Sequence, residues 1–447
     1  MSEPAAARGP DLAALLSELP DFIVDDEAVV RRCQVGGRVP SAVALPRNPE
    51  EVVRALQVAS SQGLAVTPWG GGTAAADGPP PNRLDLALSL ERMSRVVDHQ
   101  PGDMTVTVQA GVTLGHLQAA LAAAGQRLPL DPPFAGSATL GGIAAANAWG
   151  PLRHAFGRPR DLVLGMTVVT AEGEVVRAGG RVVKNVAGYD LNKLFIGSLG
   201  TLGVITEVTL KVWPLAECRR DLVAKLGPAS QAEELLAAVL GSQLLPARLD
   251  MADAVPAKGP GALPLVLIAG FEGTSEIVEW QVERLQALGR ELGAEWHALS
   301  ELESARLSAW ESTALPPDPP EFRLVVRVSG LSGDLRRHWE ALRSAASDLN
   351  LACAAYSFAG CGVTLACCGE PEPGAAPERL CRLPVLLREH LSRLRARVTV
   401  EQARGCEAEA LQWWEPDGPP GKDLALRIKS SLDPKDTLNP GVMPGVG

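Results

Sequence analysis

Pro68-Trp69-Gly70-Gly71-Gly72-Thr73-Ala74-Ala75-Ala76-Asp77-Gly78 follows directly on the apolar run Leu64 to Thr67. Three consecutive glycines carry no Cβ, so several backbone N–H groups can converge on one anion without steric penalty. A diphosphate-bearing ligand suits such a loop, although the stretch taken alone reads equally well as a Gly/Ala surface turn. Upstream, Asn48 is placed to cap a helix with Pro49 in its first position and Glu50 and Glu51 in its first turn. Val52, Val53, Leu56 and Ala59 supply the apolar stripe of that helix and Gly63 its end. Helix, strand and glycine loop thus follow in a βα-type order that presents backbone donors.

Two further glycine-rich passages lie downstream. The first runs from Asp131 to Gly150 and includes Gly136-Ser137-Ala138-Thr139-Leu140-Gly141-Gly142 and Ala146-Asn147-Ala148-Trp149. Its small residues, scattered hydroxyls and single carboxamide suit a backbone lying against a planar polar ligand. The other comprises Lys184-Asn185-Val186-Ala187-Gly188-Tyr189-Asp190-Leu191 and then Gly197-Ser198-Leu199-Gly200-Thr201-Leu202-Gly203-Val204-Ile205-Thr206-Glu207, a loop that feeds into an alternating strand. Between the passages, Met104 to Ala110 alternates as a strand, and Thr113 begins a helix carrying Leu114, Leu117 and Leu121 and closed by Gly125. Strands are also expected at Leu162 to Thr170, Glu174 to Arg177 and Val204 to Val212, with Val204, Thr206, Val208, Leu210 and Val212 on one face. Two small α+β lobes with a cofactor between them fit this layout.

Pro68 to Gly78, Thr139-Leu140-Gly141-Gly142 and Gly200 to Thr206 together resemble the FAD-binding domain of the vanillyl-alcohol-oxidase (PCMH) type. The variant Lys184 to Leu191 is most similar to the E subunit of glycolate oxidase. By motif the resemblance covers about residues 38 to 215, with a short tail match at Leu432-Asp433-Pro434 and Leu438-Asn439-Pro440-Gly441. It implies an FAD-dependent oxidoreductase in which Pro68, Trp69, Gly70, Gly71, Gly72, Thr73 and Ala74 bind the diphosphate largely through backbone N–H groups. Ser137, Thr139, Gly142, Ala146, Asn147, Ala148 and Trp149 would border the diphosphate and ring, and Gly200, Thr201, Leu202, Gly203, Val204 and Ile205 would complete the site. The family's covalent histidine normally comes from the first loop, where this chain has neither His nor Cys, so FAD is expected to bind non-covalently. His154 is the nearest other candidate and reads as a surface or supporting histidine.

Composition is that of a soluble enzyme or enzyme subunit. The 447 residues should divide into two or three domains. The net charge of −10, from 52 acidic and 42 basic side chains, disfavours a nucleic-acid partner. No apolar run has the length of a membrane span, and the N-terminus shows no basic region followed by an apolar stretch, so a cytoplasmic location is expected, with peripheral membrane association through partners left open. The eight cysteines include no pair spaced Cys-x-x-Cys. An iron–sulfur cluster or structural zinc usually needs such repeats, so no metal is expected in this chain and any cluster would belong to another subunit.

The expected organisation is an N-terminal extension at residues 1–37, the FAD-binding domain at 38–217, a cap at 218–431, and a tail at 432–447 returning to the FAD domain. The cap pattern, strands at Leu263 to Ala269, Arg323 to Ser329, Leu351 to Ser357, Cys361 to Cys368 and Arg397 to Gln402 alternating with helices such as Thr274 to Leu292 and Gly333 to Leu349, predicts an antiparallel sheet with helices on one face. The Pro/Gly-rich stretches Val255 to Pro264, Pro316 to Pro320 and Gly369 to Pro377 read as exposed connections. Arg323 and Arg327 are candidates to meet a substrate carboxylate; the other reading is a solvated strand face. Arg181 and Lys184 stand in the same position, and Trp413-Trp414 reads as core or interface. Relatives that oxidise 2-hydroxy acids unaided carry a His-x-Gly-Asp-Gly-Asn-x-His-like stretch and a later Glu-His in the cap. The six histidines here form no such cluster, and no catalytic base is named by the sequence. The resemblance therefore implies an FAD subunit of a glycolate-oxidase-like 2-hydroxy acid dehydrogenase, working with a second FAD subunit and an iron–sulfur subunit. A stand-alone FAD-linked oxidase or dehydrogenase of a hydroxy acid or alcohol, or an FAD-stabilised structural subunit without turnover, are the alternatives.

Overall fold

A computed structural model describes residues 17–181, 189–226, 229–253, 265–312, 323–369, 378–404, 411–414 and 421–443. Strands Ile23–Val24 (β1), Ala42–Ala44 (β2), Val66–Trp69 (β3) and Leu86–Ser89 (β4) form a sheet ordered β1-β2-β4-β3, parallel except for β1. Helix Pro49–Gln62 precedes β3 as the sequence predicts. The Asn48 carboxamide oxygen accepts from the Glu51 N–H at 2.9 Å, and Gly63 turns left-handed at φ 67° to end the helix. The strand begins two residues later than Leu64, because the Leu64 N–H still donates to the Ala59 carbonyl of the helix exit.

Strands Val96–Gln100 (β5), Thr105–Gln109 (β6), Val163–Val169 (β8), Val175–Gly179 (β9) and Val204–Lys211 (β10) form an antiparallel sheet ordered β5-β6-β10-β8-β9, while Gln126–Arg127 (β7) pairs with Trp213–Pro214 (β11). Val204, Val208, Leu210 and Val212 enter one core as the alternation along Val204 to Val212 predicts, and β10 pairs with β6 in unbroken register from Glu207 to Lys211; against β8 the register shifts twice, with Thr206 extra on β10 and Leu164 extra on β8. Helix Leu114–Ala122 starts at its Thr113 cap, whose Oγ1 accepts from the His116 N–H at 3.2 Å. Val52, Leu56, Val66, Leu86, Val106, Val108, Leu117, Val168 and Val208 belong to one core shared by both sheets.

Eight further strands make one antiparallel sheet: Cys218–Leu226 (β12), Arg248–Asp253 (β13), Leu265–Gly273 (β14), Trp296–Ala298 (β15), Arg323–Ser329 (β16), Ala352–Phe358 (β17), Val363–Gly369 (β18) and Arg397–Arg404 (β19). Their order is β15-β12-β14-β13-β17-β18-β16-β19. Leu222, Leu249, Leu267, Val326, Ala366 and Val400 point to a core shared with helices Ala229–Leu240, Ser275–Glu291, Leu335–Asp348 and Glu378–Leu391. Residues of opposite parity, Ala252, Ile268, Tyr356, Phe358 and Val363, gather instead against Trp149 of the first half. Helices therefore cover one face of this sheet and the other face looks toward the glycine-rich passages. Helix Glu378–Leu391 escapes a sequence reading because Pro384 lies inside it. β13 escapes because Arg248 and Asp250 alternate like solvent-facing residues, yet both are buried as an ion pair of 2.8 Å. The expected connections at 255–264 and 316–320, the stretch Lys184 to Gly188, and the connection expected at 369–377 apart from Gly369, which ends β18, lie outside the described residues.

The C-terminal segment runs beside β3. The Val66 N–H donates to the Thr437 carbonyl at 2.7 Å, and the Asn439 N–H donates to the Val66 carbonyl at 3.0 Å. Buried Lys429 holds this segment. Its ammonium donates to the Thr201 carbonyl at 3.0 Å, to the Leu438 carbonyl at 2.8 Å and to the Asp433 carboxylate, which in turn accepts from the Thr437 and Leu438 N–H groups. Removing one partner of a buried pair strands the other charge. Lys429→Met should lower unfolding stability by about 3 to 5 kcal/mol, measured by denaturant titration, whereas Arg31→Ala, which breaks an exposed pair with Glu27, should cost less than about 1 kcal/mol.

Candidate active site

The glycine loop leaves β3 and is pressed against the second glycine passage. An added Cβ on Gly71 would sit 1.9 Å from the Ser137 carbonyl oxygen, and one on Gly70 would sit 2.2 Å from Thr139 Oγ1. Only glycine permits that approach. Among the described residues, no backbone N–H from Gly70 to Ala74 donates a hydrogen bond. These residues are half-buried, or exposed at Gly71, and line a cavity, so their N–H groups are open to an anionic group such as a diphosphate. Asn147, left-handed at φ 49°, ends helix Leu140–Ala146 in the same wall, and its buried carboxamide oxygen accepts no hydrogen bond among the described residues.

A cavity of about 1530 Å³ opens between the loop and the cap sheet. That volume exceeds the roughly 300–1,000 Å³ of a typical small-molecule pocket and suits a dinucleotide with a small substrate. Trp69 to Gly78 line it, as do Ser137, Thr139, Gly142, Ala146, Asn147, Ala148 and Trp149. A smaller adjoining cavity of about 130 Å³ is bordered by Pro68, the glycine loop, Gly200, Gly203, Ile205 and Asn439. The side chains of Thr201, Leu202 and Val204 are buried away from both cavities. The three passages thus meet, with the third reaching the smaller cavity rather than the larger.

The cap supplies the opposite wall from β16, β17, β18 and β19. Arg327 lines the large cavity and pairs with Glu401 at 3.1 Å; Arg323 opens β16, and its side chain lies outside the described residues. Tyr356 and Phe358 project from β17, and the Tyr356 hydroxyl accepts from Arg248 Nη2 at 3.0 Å. Phe358 meets the edge of Trp149 with ring centroids 4.5 Å apart, and the Arg153 guanidinium lies 4.1 Å over the other ring system of that pair, Trp149. None of Tyr356, Phe358, Glu401 or Gln402 was singled out from the sequence, because each is brought to the cavity by strand pairing across distant segments. His154 packs against Gly360 and is absent from the cavity lining; burial pushes its imidazole below the ordinary value. Arg181 forms an exposed pair with Asp98 at 2.9 Å. Trp413 borders the cavity, and Trp414 packs on the cap core. Among the described residues, no three His, Cys, Asp or Glu side chains gather as a metal site, and no helix is long and apolar enough to cross a membrane.

Loop and cap are tied directly. The Gly78 N–H donates to the Glu401 carbonyl at 2.8 Å, and Gln402 Nε2 donates to the Asp77 carboxylate at 2.8 Å. Desolvation at this junction pushes the Asp77 carboxyl up to about 6, with Glu401 adding repulsion while Gln402 and Arg327 oppose the rise.

Residues 40–179 match the FAD binding domain family. Over 425 residues the chain is 28% identical to glycolate oxidase subunit GlcD of Bacillus subtilis, spanning 91% of this chain and 89% of that protein. Over 453 residues it is 30% identical to an uncharacterized FAD-linked oxidoreductase of Mycobacterium tuberculosis, spanning 95% of each. Over 120 residues it is 47% identical to glycolate oxidase subunit GlcE of Escherichia coli, spanning 27% of this chain and 34% of that protein. The fold resembles that of 4-ethylphenol oxidase from Gulosibacter chungangensis with a TM-score of 0.75 at 18% identity, covering 100% of this chain and 99% of that one.

Two outcomes follow from the loop. Gly71→Ala should yield protein with native circular dichroism that retains little flavin, read from visible absorbance after desalting. For Asp77, the folded value lies above its ordinary 3.8, so the contribution of this group to stability is full below that value and is lost as pH rises through about 6. Asp77→Asn should raise the unfolding midpoint of the cofactor-free protein at pH 7, and the gain should shrink toward pH 4.

Proposed function

This chain belongs to the FAD-linked oxidoreductase family and is an FAD-dependent enzyme, and we propose that it oxidises a small 2-hydroxy acid as the FAD-carrying subunit of a glycolate-oxidase-like assembly. One observation carries the reading: the first two glycine passages and the cap strands close around a large cavity that Arg327 lines. Similarity to GlcD over nearly the whole chain and to GlcE over 120 residues supports the substrate class and the assembly.

When bound, the isoalloxazine of FAD accepts a hydride and passes electrons onward. The chain supplies the placement. The N–H groups of Gly70 to Ala74 hold the diphosphate, without a covalent bond to the flavin. Ser137, Thr139, Gly142 and Ala146 to Trp149 form the wall beside it. Gly200 to Ile205 support that wall from behind through their main chain. Arg327 receives the substrate carboxylate, and Glu401 keeps its guanidinium oriented when no substrate is present. A second FAD subunit and an iron–sulfur subunit complete the electron path in this reading.

The Tyr356 hydroxyl favours a second reading, in which the chain turns over substrate unaided. It places a proton-exchanging group on the cavity wall in a protein whose histidines do not gather there. Adding glycolate or D-lactate anaerobically to the purified chain separates the two. Bleaching of the flavin band by the isolated chain supports the second reading. Bleaching only with co-purified partners that contain iron and sulfide supports the first. No bleaching in either preparation rejects a 2-hydroxy acid substrate. In whichever preparation is active, Arg327→Met should raise KM about 10- to 100-fold, the worth of a hydrogen bond to a charged group, with flavin content unchanged.

A further inference from the structure

Cys353 on β17 and Cys368 on β18 are directly opposed in the antiparallel register, and their Sγ atoms are 3.0 Å apart. Facing residues in such a pair hold their Cα atoms about 4.5–5.5 Å apart, inside the roughly 4.4–6.8 Å range that a disulfide spans. Strand pairing alone therefore sets the backbone for a bond, and the sulfurs need only close the remaining gap. The adjacent Cys367 is not so placed, because it opposes Ala354 and alternation turns it to the other face, against Val325.

The two thiols differ in access. Cys368 is fully buried in the cap core, whereas Cys353 is half-buried at its margin. The hydrogen bond with Cys353, and after it burial, pushes the Cys368 thiol well up from its ordinary value. An oxidant from solvent thus meets Cys353 first, with Cys368 waiting beside it.

We propose that Cys353 and Cys368 form a redox pair that hydroperoxides convert reversibly to a cross-strand disulfide. In the first step the Cys353 sulfur attacks hydrogen peroxide, the O–O bond breaks, and Cys353 becomes a sulfenic acid as one water leaves. In the second, the Cys368 sulfur attacks the Cys353 sulfur, and the hydroxyl departs with the Cys368 proton as a second water. Two thiols lose two electrons and two protons, and one peroxide becomes two waters. The pair lies on the helix-covered face of the sheet, while Tyr356 and Leu365 of the same two strands face the cavity. Oxidation therefore staples the cavity wall from behind without altering its lining.

The test uses the full chain with its flavin. After exposure to hydrogen peroxide, the protein is denatured, alkylated with N-ethylmaleimide and digested without reductant. Two of the eight cysteines should escape alkylation and regain it after dithiothreitol, one linked peptide should join Cys353 to Cys368, and flavin content should be unchanged. Cys367→Ser should keep the link and Cys353→Ser should abolish it; the wild-type peptide map decides the matter even where a variant folds poorly. Alkylation of all eight, a link between other cysteines, or a Cys353 sulfinic acid with no linked peptide would overturn the proposal.

Discussion

The contact between the glycine loop and the second glycine passage is the constraint on which the rest of the molecule depends. With Gly71 against the Ser137 carbonyl and Gly70 against Thr139, two backbones pass closer than any Cβ allows. Among the described residues, the N–H groups of Gly70 to Ala74, which line the cavity, donate no backbone hydrogen bond. β3 carries the loop in, and β3 is braced on one side by β4 and on the other by the C-terminal segment at Thr437 to Asn439. A buried ammonium, Lys429, pins that segment to the third glycine passage through the Thr201 carbonyl. The C-terminal segment thereby supports the glycine loop.

The cap sheet has two faces with different tasks. One is a conventional apolar core under four helices. The other mixes aromatic rings with a buried Arg248–Asp250 pair that presents the Tyr356 hydroxyl. Burying an ion pair is expensive and seldom stabilises relative to apolar packing. Here the pair lies directly behind a cavity-lining tyrosine, whose hydroxyl accepts from Arg248.

Electrostatics at the junction of the two halves follow the same logic. Asp77, Glu401, Gln402 and Arg327 come from one loop and two strands and meet at the cavity rim. Burial works against the Asp77 charge and the neighbouring amide works for it. The residues that tie the loop to the cap therefore also line the cavity.

Much of this was legible in the chain itself. Asn48 and Gly63 bound a helix, Thr113 caps another, and three glycines in a row after a strand mark a place where backbone must approach something closely, because capping and the absence of Cβ act over a few residues. Alternation likewise predicted most cap strands and their helix-covered face. Other elements were hidden: Pro384 inside a helix and Arg248 in a strand run against local preference and persist only because packing outweighs it. Arg327 was a candidate from the sequence, but Tyr356, Phe358, Glu401 and Gln402 were beyond reading, since they reach the cavity through strand pairings between distant segments. The sequence by itself determined the glycine loop and the class of fold, through short-range backbone chemistry. Only the tertiary structure decided the cap wall of the site, because the register of an eight-stranded sheet is set by burial of its whole face and not by any stretch within it.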